Sequence, residues 1–99
     1  MIRHIVLYSF DNIPQEVVSD FMKKYSECEK IINLKIQAGE NISPKIELSN
    51  GFNFGILMTF GSVEDIKKYN TLQQHIDAKA IMSPYLKNTL VFDIDGGRL

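Results

Sequence analysis

The first ten residues alternate between two sets of side chains, which is the pattern of a β-strand. Ile5 and Leu7 make the middle of one face apolar. The other face is apolar along most of its length and consists of Ile2, His4, Val6, Tyr8 and Phe10. A strand that is apolar on both faces is covered on both sides. We therefore predict a central strand over residues 2–10.

An amphipathic helix is predicted next. Asp11–Pro14 has the composition of a turn, and its proline suits the first turn of a helix. Apolar residues then recur at steps of three and four and form one stripe, which comprises Val18, Phe21, Met22, Tyr25, Cys28 and Ile32. The charged residues of this segment lie largely off the stripe, so we expect them to face solvent.

Two more strands follow the helix. Residues 33–38 alternate between apolar and polar side chains, which predicts a half-buried strand at an edge of the sheet. Residues 39–51 contain Gly, Pro, Ser and Asn without firm periodicity, so we expect a binding or interface loop there. Residues 53–60 carry no charge on either face and predict the third strand.

The C-terminal third predicts two short helical pieces and a last strand. Ser62–Asp65 has the spacing of a capping box, and Val63, Ile66 and Tyr69 are expected to point inward from the helix that it starts. A second helical piece covers about residues 75–82 and stops before Pro84. Residues 89–94 again alternate and predict the fourth strand.

This order of elements predicts an α+β, ferredoxin-like fold: a split β-α-β arrangement with a four-stranded antiparallel sheet. A right-handed crossover through the first helix makes strands one and two parallel to each other. The helices then cover one face only, which leaves Ile5, Leu7 and Leu57 on a face that one subunit does not cover. We therefore predict a homodimer whose two sheet faces pack into a dimeric α+β barrel.

Length and composition predict one ordinary globular domain over residues 1–99, with 44% apolar and 23% charged residues. A net charge of −1 at pH 7 and scattered lysines argue against a nucleic-acid partner. No apolar run approaches the roughly 20 residues of a membrane span, and the N-terminus has no signal-peptide core. We expect a cytoplasmic protein without a membrane partner.

Cys28, the only cysteine, is expected to be a small packing residue rather than a nucleophile.

Several segments resemble the stress-responsive A/B barrel domain family, called Dabb, of dimeric α+β barrel proteins. The opening segment 1–10 resembles the first strand of the family, including its histidine at position 4. The other matching segments are Ile42-Ser43-Pro44, Asn50-Gly51-Phe52, Thr59-Phe60-Gly61-Ser62 with Tyr69 and His75, and Val91-Phe92-Asp93. The resemblance implies the same dimeric barrel, but it implies no single activity. Where the family often has His-Pro-x-His, this chain has Leu72-Gln73-Gln74-His75, so only the second histidine is kept.

The resemblance also suggests catalytic residues. A plant polyketide cyclase that resembles the family uses a tyrosine and a histidine at the positions of Tyr69 and His75, and the histidine that matches His4 lines its pocket. A neutral imidazole can take a proton next to a carbonyl near pH 7, and a phenol can donate a hydrogen bond to the oxyanion that develops. Six residues of straight helix would place the two side chains roughly 9 Å apart along the axis and about 120° apart around it. They converge only if the helix breaks, for which Asn70-Thr71 is a candidate.

Structural explanations compete with these roles. A tyrosine at the end of a helix is often a core residue with its hydroxyl at the rim, and His4 shares a face with apolar residues and suits a hydrogen-bonded core histidine. The side chains that we expect to bind a ligand are His4, Val6, Tyr8, Phe54 and Met58, of which Phe54 and Met58 also suit a plain core. Two histidines without a third ligand do not predict a metal site, and we expect no cofactor.

Three functions remain open at this point. The first is a homodimeric protein of unassigned activity that binds a small apolar or aromatic ligand between sheet and helices. The second is an enzyme that resembles the polyketide cyclase, with His75 as general base and Tyr69 as oxyanion donor. The third is a cofactor-free monooxygenase, which rests on fold-level analogy alone. Substitution of His75 would separate the first two, because it would either abolish a reaction or only change ligand affinity.

Overall fold

The computed structural model describes residues 1–96. The strands are β1 (Ile2–Phe10), β2 (Leu34–Glu40), β3 (Phe54–Phe60) and β4 (Leu86–Asp95). The helices are α1 (Gln15–Cys28), α2 (Val63–Thr71) and α3 (Gln73–Met82), with short 3₁₀ turns at Ile46–Leu48 and Ser83–Tyr85. Within the described residues, none of the helices combines the length and the apolar character needed to cross a membrane.

The four strands form one sheet in the order β2-β3-β1-β4, and every neighbouring pair is antiparallel. β1 and β2 therefore run parallel to each other on either side of β3, as the crossover rule predicts. β1 is central and β2 lies at an edge, which confirms both predictions. Ile5 lies opposite Leu57 on β3 and opposite Phe92 on β4, so that the apolar positions of three strands share one face.

The core lies between the other face of the sheet and the helices. The predicted stripe of α1 supplies three of its fully buried side chains, Phe21, Tyr25 and Cys28. The Cys28 thiol donates a hydrogen bond to Lys24 O one turn earlier. Burial raises the pKa of this thiol. A buried thiol of raised pKa is inert, in line with a packing role.

The opposite face of the sheet stays open within one chain. Ile5, Leu7 and Leu57 alternate with buried neighbours and are themselves only half-buried. On β4, Leu90 and Phe92 extend this apolar surface, which we call the open face, and both are exposed. The predicted assignment of side chains to the two faces is therefore confirmed.

Several predicted boundaries need correction. β4 begins at Leu86 rather than at residue 89, α3 begins at Gln73, and β2 continues to Glu40. Val63 was expected to point inward, but half of it is exposed (50%), because it is the first residue of α2 and lies at the rim of the core. The predicted N-cap is present, since the Ser62 hydroxyl accepts a hydrogen bond from Asp65 N at 3.3 Å.

Two asparagines shape the connection between β2 and β3. The Asn41 amide donates to Ser49 Oγ at 2.8 Å and to Phe52 O at 2.9 Å, which closes the loop on itself. The Asn53 side chain pairs with both the N–H and the carbonyl of Phe10. At the ends of the strands, these side-chain amides thus make the hydrogen bonds to backbone groups that a neighbouring strand would otherwise make.

Candidate active site in the cleft between β4 and the last two helices

One residue separates α2 from α3. α2 ends at Thr71, Leu72 is extended with φ −65° and ψ 137°, and α3 begins at Gln73. The Leu72 N–H still bonds to Tyr69 O at 3.1 Å, which closes the last turn of α2. The chain therefore changes direction between Tyr69 and His75, as convergence of the two side chains requires. The break lies one residue beyond the predicted Asn70-Thr71.

Tyr69, His75 and His4 come together at this break. The rings of Tyr69 and His75 stack with 4.1 Å between their centroids and 25° between their planes. The His4 ring meets Tyr69 edge-on, with 6.2 Å between centroids and 66° between planes. All three residues that were singled out for chemistry thus lie in one place.

A carboxylate holds the His4 ring. His4 and Asp93 are direct partners across β1 and β4, and His4 Nδ1 lies 2.5 Å from Asp93 Oδ1. The carboxylate accepts a hydrogen bond from Nδ1–H and thereby leaves Nε2 as the other polar atom of the ring. The His4 side chain is buried, whereas the Asp93 side chain is 47% exposed. Asp93 therefore links the buried ring to the outside of the molecule.

Two tyrosines, Tyr8 and Tyr69, line the site, and Tyr25 lies behind them in the core. Tyr8 and Tyr25 share a hydrogen bond of 3.0 Å between their hydroxyl oxygens. Burial raises the pKa of Tyr8, of Tyr25 and of Tyr69 above the ordinary value for a phenol. For Tyr69, the neighbouring Tyr8 and Cys28 groups act in the same direction. Tyr69 consequently keeps its proton at neutral pH and can act as a hydrogen-bond donor.

His75 is the neutral partner in this arrangement. Burial lowers the pKa of its ring, and the positive charge of Lys79 lowers it further. Backbone groups of Asn70 and Tyr69 act in the opposite direction, with a smaller effect than burial. His75 Nδ1 is buried and has no hydrogen-bond partner among the described residues. At neutral pH the ring is therefore uncharged and one of its nitrogens is free to accept a proton.

These residues line an open cleft of about 310 Å³ between β1, β4, α2 and α3. Its wall is mostly apolar or aromatic and contains His4, Val6, Tyr8, Ile66, Tyr69, Asn70, His75, Lys79, Met82, Leu86, Thr89, Val91 and Asp93. A volume near 300 Å³ and a mostly apolar wall with a few polar groups are typical of a small-molecule site.

Two of the residues predicted to bind a ligand lie elsewhere. Met58 is fully buried in the core and is not part of the wall of the cleft. Phe54 packs against Phe10 and Phe21 and borders a second cavity of about 590 Å³, between the 39–53 segment and the open face. Neither histidine lines that second cavity, so the acid–base residues belong to the smaller cleft.

The sequence of the chain matches the model of the stress-responsive A/B barrel domain over residues 2–95. This match covers nearly the whole chain. The chain belongs to the Dabb family. No curated protein sequence gives a significant match to it.

Solved structures with low sequence identity share the fold. The chain is 24% identical to the Arabidopsis thaliana protein At3g17210, with a TM-score of 0.84 over 100% of this chain and 98% of that one. It is 19% identical to the hydroxynitrile lyase of Passiflora edulis, with a TM-score of 0.78 over 99% and 96% of the two chains. A dimeric ferredoxin-like protein of unknown function from Thermobifida fusca is 20% identical, with a TM-score of 0.75 over 94% and 88%. At these identities the likeness establishes the ferredoxin-like fold alone.

Asp93 and Lys79 are two charged residues of this Dabb cleft to which the sequence analysis assigned no role. Asp93 lies 89 residues from His4, and the two meet only because β4 pairs with β1. Lys79 follows His75 by one helical turn, a spacing that places two side chains on the same face. The pairing of His4 with Asp93 depends on the register of β4 against β1, and the shared face of His75 and Lys79 depends on where α3 begins. The sequence pattern determines both only to within a few residues.

Metal ligands do not cluster in this Dabb chain as far as the structure describes it. Within residues 1–96, no group of three or more His, Cys, Asp or Glu side chains could hold a metal ion. The donors in the cleft are two imidazoles and one carboxylate, and that carboxylate is engaged by His4. The polar groups of these residues can donate and accept hydrogen bonds and can transfer protons.

Proposed function

We propose that this Dabb protein binds a small, largely apolar or aromatic ligand in the cleft between β4 and the helices. The observation that carries the proposal is the convergence of His4, Tyr69 and His75 on a cleft that is otherwise mostly apolar. A ring can lie against the apolar wall, while His75 and Tyr69 supply an acceptor and a donor for one polar group of the ligand. His75 Nδ1 is buried, so we assign the contact with the ligand to Nε2.

The protein acts as a homodimer in this proposal, with the open faces of two subunits packed together. An apolar surface made by three neighbouring strands is costly to leave in water, and it has no cover from the described residues of the same chain. The Thermobifida fusca neighbour is described as dimeric, and so is a ferredoxin-like protein from Bacteroides fragilis. The cleft lies on the helix side of the sheet, so both clefts of the dimer stay open.

Titration with 2-naphthol tests the ligand site, because this probe combines two apolar rings with one hydroxyl group, as the apolar wall and the pair of Tyr69 and His75 require. The titration is followed by NMR on uniformly ¹⁵N-labelled protein. Val91→Trp is designed to fill the cleft, since Val91 lines it and is 55% exposed. Val63→Trp is the matched control, because Val63 is 50% exposed and lies outside the cleft.

Saturable shifts of His4, Tyr69 and His75 signals are expected in the wild type and in Val63→Trp, and their loss is expected in Val91→Trp. Equal binding by both variants would place the probe elsewhere and overturn the proposed site. Because neither substitution touches a fully buried position, both variants should fold, which their spectra without ligand would establish.

A second candidate function is proton abstraction next to a carbonyl group. The stacked pair of Tyr69 and His75 favours it, because a neutral imidazole and a protonated phenol lie side by side in the same cleft. His75 would act as the general base and Tyr69 would donate a hydrogen bond to the enolate oxygen. A cofactor-free monooxygenase is a third possibility, which oxygen uptake with a quinol would test.

Exchange of the protons next to the carbonyl of 2-tetralone in D₂O tests this second candidate. If the candidate is correct, the protein accelerates the exchange, His75→Gln reduces the enzymatic rate about 100-fold or more, and Tyr69→Phe reduces it less. If the protein binds 2-naphthol but does not accelerate exchange, it is a binding protein and the enzymatic candidate fails for ketones of this class.

A further inference from the structure

One face of α3 is directed at the cleft. His75, Lys79 and Met82 follow one another at steps of four and three, and all three line the cleft. Met82 is fully buried, His75 is half-buried and Lys79 is exposed. Met82 therefore lies deep in the cleft, and the exposed Lys79 lies at its mouth.

This ammonium group has no ion-pair partner in the part of the chain that the structure describes. On the other side of α3, Lys24 of α1 lies 3.8 Å from Asp77 and 3.9 Å from Glu27, which compensates the charge of Lys24. Asp93 is the one carboxylate among the described residues of the cleft wall, and it is held by His4. The cleft therefore has an uncompensated positive charge at its mouth.

The charge of Lys79 reaches the interior of the cleft. It is the second-largest cause, after burial, of the lowered pKa of His75. Nearby low-dielectric walls strengthen such an interaction relative to water. An anionic group bound beside His75 would be attracted by the same positive charge of Lys79.

We infer that the cleft is selective for apolar or aromatic acids, whose anionic group pairs with Lys79 while the ring lies on the apolar wall. The inference rests on the proposed function, because it names the class of ligand for the same cleft. The long apolar stem of a lysine allows its ammonium group to follow an anion over several ångströms. An anion near the mouth pairs with Lys79 without having to lose all of its hydration.

A matched pair of probes tests the inference. 2-Naphthoate and 2-naphthamide have nearly the same shape, and only the first is charged. Their affinities are measured by calorimetry at low and at high salt for the wild type and three variants. Lys79→Gln removes the charge, Lys79→Arg keeps it, and Lys67→Gln removes the charge of an exposed lysine on α2 that does not line the cleft.

The wild type should bind 2-naphthoate more tightly than 2-naphthamide, and salt should reduce the difference. Lys79→Gln should weaken binding of 2-naphthoate about threefold to tenfold and leave 2-naphthamide nearly unchanged. Lys79→Arg should restore most of the difference, and Lys67→Gln should behave as the wild type. This pattern would establish Lys79 as the residue that selects for acids.

Three other outcomes would overturn the inference. If Lys79→Gln weakened both probes equally, Lys79 would contribute contact area rather than charge selection. If 2-naphthol bound but 2-naphthoate bound no more tightly than 2-naphthamide, the inference would fail and the proposed ligand site would stand. If none of the three probes bound to the cleft, the proposed site itself would fail, and the inference with it.

Discussion

Tyr69 and His75 stack ring on ring at 4.1 Å although six positions separate them in the sequence. A continuous helix would turn them away from each other. The single extended residue Leu72 makes the contact possible, because it ends one helix and begins the next. A phenol and an imidazole are thereby brought together in the wall of the cleft.

His75 should make the folded protein less stable at mildly acidic pH. Its pKa is lowered in the folded state, whereas in the unfolded chain it is about 6.5. As the pH falls from about 6.5 to the lowered pKa of the folded state, the unfolded state takes up the proton first, so the free energy of unfolding decreases. Below this range, each unit by which the pKa is lowered is expected to reduce the free energy of unfolding by about 1.4 kcal/mol. Urea unfolding at pH 7 and pH 5 should therefore show a larger loss for the wild type than for His75→Gln. Equal losses would contradict the assignment of a neutral His75.

The hydroxyl pair of Tyr8 and Tyr25 should behave as a coupled unit. Either Tyr8→Phe or Tyr25→Phe leaves a buried hydroxyl without its partner, which should cost about 1–2 kcal/mol of unfolding free energy. The double variant should cost less than the two single variants together, because it leaves no unpaired hydroxyl. Additive losses in a double-mutant cycle would show that the 3.0 Å contact is not a hydrogen bond that matters for stability.

Asp93 should fix the tautomer of His4. Asp93→Ala removes the acceptor of Nδ1–H, so the ¹⁵N spectrum of the ring should change from a single tautomer to a mixture. The variant should also be less stable by about 0.5–1 kcal/mol, a modest value because Asp93 is partly exposed. Asp95→Ala is the control, since Asp95 lies on the same strand and is exposed. If both variants gave the same His4 spectrum, the proposed anchoring would be wrong.

Charges on the open face should break the dimer. Leu7→Lys and Leu57→Lys each place an ammonium group in the middle of the apolar surface, where packing against a second sheet would leave it buried and unpaired. Sedimentation velocity should give a dimer for the wild type and a monomer for both variants. Ile31→Lys is the control, because Ile31 is 53% exposed and lies in the turn after α1, outside the four strands. A dimer that survived both open-face substitutions would contradict the assignment of the interface.

Alternation of side chains was sufficient to predict most of the fold. The two apolar faces of residues 2–10 correctly indicated a central strand, and the polar positions of residues 33–38 indicated an edge. A strand that is covered on both faces is apolar at every position, whereas a strand that is covered on one face has polar residues at alternate positions. The sequence therefore distinguishes the two directly. Element ends were less well predicted, since the residues beyond them are held by contacts such as those of Asn53 with Phe10.

The candidate site could be predicted only in part. Tyr69 and His75 were singled out through the family resemblance, and a break in the helix was the condition for bringing their side chains together. The pairing of His4 with Asp93 depends on the register of β1 against β4, which alternation alone does not determine. Phe54 and Met58 were predicted to bind a ligand because they share a face of the sheet with His4. That face is covered by helices in one part and open to solvent in another, and alternation does not distinguish the two parts. The helices cover the β3 side of that face, whereas the β4 side remains open and forms the cleft.

A crystal structure of the protein with 2-naphthol would test the central claim most directly. We expect the naphthol rings to lie against Val6 and Val91 in the cleft, with the hydroxyl within hydrogen-bond distance of His75 Nε2. Density for the probe on the open face, or in the cavity of about 590 Å³ beside Phe54, would contradict this expectation. In that case the contact between Tyr69 and His75 would be a feature of the core rather than of a binding site.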